Sequence, residues 1–491
     1  MLLFQPIALC SIVIALLLVF VVKIAYRAFK NPLRHVPGPW YSAYTHCVLK
    51  LKTMTGRRMF YVHSLHIQYG PVVRISPWQV AVEDLKGFSA IHRIGSGFIK
   101  SKWYEELMTG AVGGTPFFAM PNPKDHAARR KLFARPFSMA FLRENCEDII
   151  RAKVEKAVGR IHEEASRGNS DVLKWWMLMA SDVIGTLSFG ESFELLEAGK
   201  KNQYVEVLEA AALSTTLQHE LPLLYHICRF IPVKTIQLLL NSGHKLIAFG
   251  RQAVTKLHRH NHEKTLFANM VAHNESTGKS QAVLSDEDIR IEASDFILAG
   301  ADTTSNTLTY IMWSILQHPD LHTRLVEELK SLGEQFNDAA LEGLPLLNAV
   351  IQESLRLYGA VPGNLPRVVP ATGITISDHF IPAGFEVETQ AYSMHRNPDI
   401  WPDPFRFDET RWLDPALLTP EQKASFCPFG VGTRVCIGIH LAKMELRLGT
   451  ALLLKRCPGL KLAEIMNDSM MEMYNFFLAG PVGKRCDVTL L

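Results

Sequence analysis

The sequence predicts a mainly α chain with small β-sheets, led by an N-terminal single-pass transmembrane helix. Three observations predict this. Long stretches carry helical apolar spacing, chiefly Glu144 to His262 and Ser285 past Leu316. Short strand-like runs lie at Gly70–Asp84 and Gly373–Gln390. An almost wholly apolar run fills Ile7 to Val22.

The elements follow in order. From Ile7 to Val22 every residue except Ser11 is apolar, and Met1–Phe4 extends the reach. That is close to the roughly 20 residues needed to cross a bilayer as a helix. Lys23, Arg27, Lys30 and Arg34 come next, so the positive-inside rule puts the bulk of the chain on the cytosolic side. In a cleaved signal peptide the charges precede the apolar run; here they follow it, which favours an uncleaved anchor. Pro37 and Pro39, in HVPGPW, then make a stiff hinge that cannot continue a helix. The expected division is an anchor over 1–22, a basic and proline-rich hinge over 23–39, and a main domain over 40–491.

Within the main domain, Gly70–Asp84 reads as two short strands broken at Ser76-Pro77. HAARRKLFARPFS, from His126, reads as a basic helix after a proline-rich loop. Ser285-Asp286-Glu287-Asp288 is a capped start to a helix long enough to cross a whole domain. The tail beyond Cys457-Pro458-Gly459 reads as irregular hairpins.

Composition narrows the function. With 491 residues, length alone suggests two or three domains, yet no linker, low-complexity stretch or repeat divides the chain after about residue 40. Basic and acidic residues number 52 and 48, for a net charge of +4, which gives no nucleic-acid footprint. The cysteines (10, 47, 146, 228, 427, 436, 457 and 486) are scattered and none forms C-x-x-C. That argues against a zinc site or a disulfide framework, and suits a reducing compartment. Asn274-Glu275-Ser276 and Asn467-Asp468-Ser469 match the glycosylation pattern, but on this topology both face the cytosol and stay unmodified. The alternating His258, His260 and His262 have no acidic or thiol partner nearby and read as a solvated loop.

The most informative run is FGVGTRVCIG, Phe429 to Gly438. Gly430 and Gly432 crowd a turn, Arg434 sits two residues before Cys436, Gly438 sits two after it, and a long amphipathic helical pattern follows. The thiol thus lies where a tight loop meets a helix N-terminus, whose free N–H groups and dipole favour a thiolate. Alone, Cys436 would read as an inert buried cysteine. Its neighbours reverse that, because a thiolate in a glycine-opened pocket beside a cation suits a haem iron as its axial ligand.

Phe429, Gly432, Arg434, Cys436 and Gly438 meet every fixed position of F-x-x-G-x-R-x-C-x-G. The run resembles the cysteine-ligand loop of the cytochrome P-450 superfamily, the haem-thiolate monooxygenases, and the resemblance covers essentially the whole chain after the anchor. It implies one large α-rich domain of the P-450 fold, and haem b held by Cys436. Further motifs then acquire expected roles. In Ala299-Gly300-Ala301-Asp302-Thr303-Thr304, Gly300 is costly inside a helix and needs a reason, such as opening a groove. The resemblance implies that dioxygen sits in that groove and that Asp302 and Thr303 relay protons to it. Glu353 and Arg356 share a helix face and can pair. The resemblance adds Arg411, although Glu409-Thr410 departs from the proline and glutamate usual there. The three are expected to form a buried network holding the cysteine loop.

His126 and Arg130 lie four apart on one helix face, and the resemblance makes them, with Arg367 and Arg434, the residues that hold the haem propionates. Arg129 and Lys131 read as surface charges, a basic patch for an acidic electron donor. By place in the family, the substrate pocket is lined from the Lys100–Pro121 loop, around Phe296, the Gly359–Asn364 turn and the Asn475–Phe477 hairpin tip. GPVVRISPWQVAVEDLKGF and IHRIGSGFIKSKWY resemble fungal enzymes of secondary metabolism, including toxin pathways.

The expectation is a monooxygenase of the endoplasmic reticulum membrane with its catalytic domain in the cytosol. It would insert one atom of dioxygen into an apolar small molecule. No flavin or nicotinamide fingerprint is present, so electrons are expected from NADPH through a separate membrane-bound NADPH-cytochrome reductase. Two rivals stand beside it: a haem-thiolate enzyme that couples, closes rings or rearranges, and a membrane-tethered haem or steroid carrier.

Overall fold

A computed structural model describes residues 4–112, 114–200, 203–259, 265–266 and 284–491. The Asn274 sequon and His260 and His262 lie outside the described residues. Helices dominate, and the axis of the domain is the predicted long helix, Asp286–Leu316, 31 residues. Its start is a capping box: the Asp288 N–H donates to Ser285 Oγ at 3.1 Å, and the Ser285 N–H donates to Asp288 Oδ2 at 3.0 Å. Three acidic residues in the first turn face the positive end of the helix dipole. This central helix packs on Val172–Phe189, Pro345–Tyr358 and Ile439–Arg456. Two of its buried hydroxyls bond back to its own carbonyls, Thr307 to Thr303 O and Thr309 to Ser305 O, both at 2.8 Å, and Thr304 reaches Glu445 at 3.3 Å. That is how a polar sequence survives inside an apolar core.

A five-stranded sheet forms the second layer, in the order Val72–Ser76, Gln79–Val82, Glu386–Glu388, Arg367–Val368, Ile99–Lys100. The first pair is the predicted hairpin, turning at Pro77-Trp78. The last pair sets Lys100 directly opposite Arg367. The described part of the stretch from Glu144 to His262 is mostly helical as expected, with breaks between helices such as 190–194 and 229–233, and Asn169–Asp171 is a strand, paired with Asp487–Thr489. In the tail, only Met473–Asn475 with Ala479–Pro481 is a hairpin; Lys461–Leu462 and Asp487–Thr489 belong to that other sheet, and Asp468–Met471 is a helical turn.

The apolar N-terminal run is one helix, Phe4–Lys30. Ile12, Leu16, Leu17, Phe20 and Val22 are all exposed on it. Among the described residues, no helix is long and apolar enough to cross a membrane. The side chains of residues 1–10 and Val13 lie outside the described set.

Candidate functional site

The cysteine loop is shaped by backbone that few residues other than glycine adopt. Gly430 and Gly432 have φ of 70° and 67°. A Cβ on Gly432 would sit 2.2 Å from the His92 carbonyl oxygen, so no side chain fits there. The Cys436 N–H donates to Phe429 O at 2.9 Å, closing the loop, and Gly438 is the N-cap residue of the helix Ile439–Arg456. The side chain of Cys436 is open to a central cavity yet enclosed by protein. Burial pushes its thiol up, against a Gly438 N–H hydrogen bond and the Arg130 charge that pull it down. The helix-end N–H and the cation thus act in the expected direction, and burial of the thiol works against them. A coordinated metal cation would add to that pull, since a coordinating thiol is deprotonated by its metal.

The cavity measures about 1640 Å³. The expected segments line it through Tyr104, Phe117, Phe118, Phe296, Val361 and Phe477. Met177, Ile184, Leu238 and Leu239 also line it and were not anticipated. On the central helix, Gly300, Asp302 and Thr303 face it, and Thr303 Oγ1 donates to Ala299 O at 2.6 Å. A Cβ on Gly300 would come within 3.2 Å of Ile184 Cγ1, so close packing on the neighbouring helix accounts for this glycine as well as any groove.

One rim of the cavity carries His126, Arg130, Arg367 and Arg434, as expected, together with Lys100 and His92. Arg130 donates to Val435 O at 2.8 Å, Arg434 to Met120 O at 2.8 Å, Arg367 to the Tyr104 hydroxyl at 2.9 Å, and Lys100 to Phe118 O. Among the described residues none of these four cations has an ion-pair partner within 4 Å. Burial, then Arg367 and Arg434, push Lys100 well down, and burial followed by Arg367 lowers Arg434 to about 10. His126 is lowered to about 3 by burial and then by Arg434, Lys100 and Arg130, so it is a neutral imidazole. A cluster of cations that make no ion pair within 4 Å among the described residues fits a ligand with two carboxylates, as haem b has.

Behind the loop stands a second charged group. Arg356 Nε and Nη2 donate to Glu353 Oε2 and Oε1 at 2.8 and 2.7 Å, both side chains fully buried. The Trp412 indole donates to Glu353 Oε2 at 2.8 Å, and Arg411 Nε lies 3.5 Å from Glu353 Oε1. Arg356 also donates to His395 O at 2.7 Å. His395, which sequence reasoning missed, completes the link. Its Nδ1 donates to Arg356 O at 2.9 Å and its Nε2 accepts from the Cys427 N–H at 2.9 Å, at the start of the cysteine loop. Burial lowers His395 to about 3, so it is neutral and this pair of bonds fixes its tautomer.

Arg129 is a correction. It is no free surface charge: it pairs with Asp288 at 2.9 Å and Glu292 at 3.1 Å. Lys131 is exposed.

Residues 37–474 match the family model described as Cytochrome P450. The chain is 39% identical to the cytochrome P450 monooxygenase stcB of Emericella nidulans, over 94% of this chain and 89% of that one. It is 39% identical to the cytochrome P450 monooxygenase aflV of Aspergillus parasiticus, over 96% and 94%. It is 32% identical to the methylphloroacetophenone oxidase of Cladonia uncialis, over 77% and 85%. A crystal structure of the cytochrome P450DA heme domain superposes with a TM-score of 0.76 at 18% identity, covering 92% of this chain and 97% of that one, which speaks to the fold.

Proposed function

The chain belongs to the cytochrome P450 family, as a monooxygenase related to fungal secondary-metabolite enzymes, and we propose that it oxygenates an apolar small molecule of that kind. The observation that carries this reading is the meeting of Cys436, a cluster of cations without ion pairs and Asp302–Thr303 on one largely apolar cavity. Haem b, when bound, supplies the iron at which dioxygen is activated.

The chain's residues divide the remaining work. Cys436 would hold the iron, and its loop is kept in register by Phe429, Gly432, Gly438 and the Glu353–Arg356–Arg411 group acting through His395. Arg130, Arg367, Arg434 and Lys100 would neutralise the two carboxylates, with His126 as a neutral donor. Thr303 Oγ1 already donates to Ala299 O, so its lone pairs remain to accept a hydrogen bond from the cavity side. Asp302, the adjacent residue, would replenish a proton passed through that hydroxyl. The aromatic lining keeps bulk water from competing for it. Electrons would come from NADPH through a membrane-bound reductase. The exposed apolar helix Phe4–Lys30, with Arg27 and Lys30 in its last turn, would anchor the chain in the endoplasmic reticulum membrane.

Candidate metabolites incubated with reductase and NADPH, followed by product masses, test the reaction. Substrate-dependent NADPH use with a gain of one oxygen supports it. Ligand binding without NADPH use would mean a carrier. A second reading has one observation behind it: the Cladonia relative is named an oxidase. Loss of two hydrogens with no oxygen gained would favour that reading, oxidative coupling or ring closure. Deleting residues 1–30 tests the anchor: the protein should leave the membrane fraction and keep its haem.

A further inference from the structure

The segment between the apolar helix and the main domain is stiff by sequence, and it does not stand free of the fold. Val72–Ser76, the first strand of the five-stranded sheet, carries Arg74, which is buried and, among the described residues, makes no ion pair within 4 Å. Its guanidinium is turned onto the hinge. Nη1 faces the carbonyl oxygens of Leu33, Arg34 and Val36 at 3.2, 3.3 and 3.2 Å, and Nη2 donates to Pro39 O at 3.4 Å. Nε donates to Ser42 Oγ at 3.1 Å. One side chain thus gathers acceptors from Leu33 through Ser42.

The hinge backbone is also pressed against that strand. The Arg74 N–H donates to Pro37 O at 2.7 Å, and a Cβ on Gly38 would sit 2.4 Å from Arg74 O, so only glycine fits there. Leu33 and Val36 are buried in the cluster that holds Val72, Val80 and Val387. Asn31 directly follows the helix Phe4–Lys30; its Nδ2 donates to Pro77 O at 2.6 Å and its Oδ1 accepts from the Leu33 N–H at 2.8 Å. A flexible tether leaves its backbone to water. Here Leu33, Val36 and Pro39 are buried, and a buried carbonyl needs a donor. Arg74 is the donor they share.

We propose that Arg74 is a positioning residue: it turns the hinge into a rigid bracket that fixes the angle between the apolar helix and the catalytic domain. This rests on the reading of Phe4–Lys30 as the membrane anchor. Prolines stiffen the chain but do not attach it to the domain. Arg74 supplies the attachment, on a strand of the domain's own sheet. With the bracket closed, each molecule presents the same face of its domain to the bilayer.

The test uses the full-length holoenzyme and Arg74→Met, which keeps the apolar bulk and removes every side-chain donor. Backbone hydrogen exchange in detergent reads the clamp. Amides of residues 31–42 should exchange about tenfold faster in Arg74→Met, while those of the central helix stay as in the wild type. Haem linear dichroism on an oriented phosphatidylcholine bilayer reads the angle. The wild type should show one defined tilt. Arg74→Met should lose about half of the dichroic signal or more at unchanged haem content, and Arg74→Lys, which keeps a charged donor, should recover part of it. If Arg74→Met does not fold, Ser42→Ala takes its place: it deletes only the hydroxyl facing Nε and should speed the same amides by a smaller factor. Unchanged exchange over residues 31–42 overturns the clamp. Faster exchange with undiminished dichroism shows that another surface sets the angle, and overturns the positioning role. A wild type that does not sediment with phosphatidylcholine vesicles overturns the anchor reading and the orienting role with it, and exchange in detergent still decides the clamp.

Discussion

Two buried charge clusters lie on either side of the cysteine loop, and they are built on opposite terms. Behind the loop, Glu353 takes two bonds from Arg356, one from the Trp412 indole and one from the Asp408 N–H at 3.0 Å. Arg356 and Arg411 both have the Glu353 carboxylate within 4 Å. On the cavity side, Lys100, Arg130, Arg367 and Arg434 have only neutral acceptors, and Lys100 sits directly across a strand pair from Arg367. Like charges directly opposite in a sheet destabilise it. The first cluster is complete in the protein; the second becomes so only with an anion present. The difference separates residues that hold the fold from residues that hold a ligand, although both groups are rich in arginine and look alike in sequence.

The sharpest break comes at the thiol between them. Cys436→Ser should abolish turnover entirely, because a hydroxyl does not replace the thiolate on iron. The reduced, carbon-monoxide-treated protein should lose its red-shifted Soret band. Persistence of that band would move the ligand elsewhere.

Next in size is the satisfied cluster. Glu353→Gln leaves Arg356 charged and fully buried without its counter-ion, which costs about 3–5 kcal/mol. Chemical unfolding of the apoprotein measures this. A loss below about 1 kcal/mol would mean that backbone carbonyls alone satisfy Arg356 and that the clusters do not differ as described.

The unsatisfied cluster should respond with the opposite sign. Lys100→Met removes a buried ammonium that faces Arg367 and keeps the side-chain length. The apoprotein should be as stable or more stable, by up to about 1 kcal/mol, while the haem content of the purified protein falls several-fold. A marked loss of apoprotein stability would place Lys100 among the structural charges and dissolve the contrast.

How much of this was legible depends on sequence distance. The cysteine loop, the Glu353–Arg356 pair and the capping box of Ser285 are local patterns, so their spacing carried the information. The Gly300 motif was visible too, though its steric partner, Ile184, was not. Lys100 was read only as the edge of a loop, since its meeting with Arg367 is a matter of strand register. His395 joins the two halves of its network through a backbone N–H and a carbonyl, which leave no trace in residue types. Arg129 was misjudged because its carboxylates come from a distant helix.

The smallest expected effect on stability sits on the oxygen side. Thr303→Ala deletes a hydroxyl whose hydrogen bond in the fold goes to Ala299 O, inside a helix that already carries that carbonyl's backbone bond. The stability change should stay within about 1 kcal/mol. Both charge clusters are untouched, so haem content should stay at the wild-type level. The chemistry should still change: without the hydroxyl, the proton path proposed from Asp302 loses its neighbouring oxygen. More of the NADPH consumed should then end as peroxide and less as product. Parallel assays of NADPH, peroxide and product on one preparation measure this split. Unchanged coupling would take Thr303 out of the proton path and leave Asp302 acting through water alone.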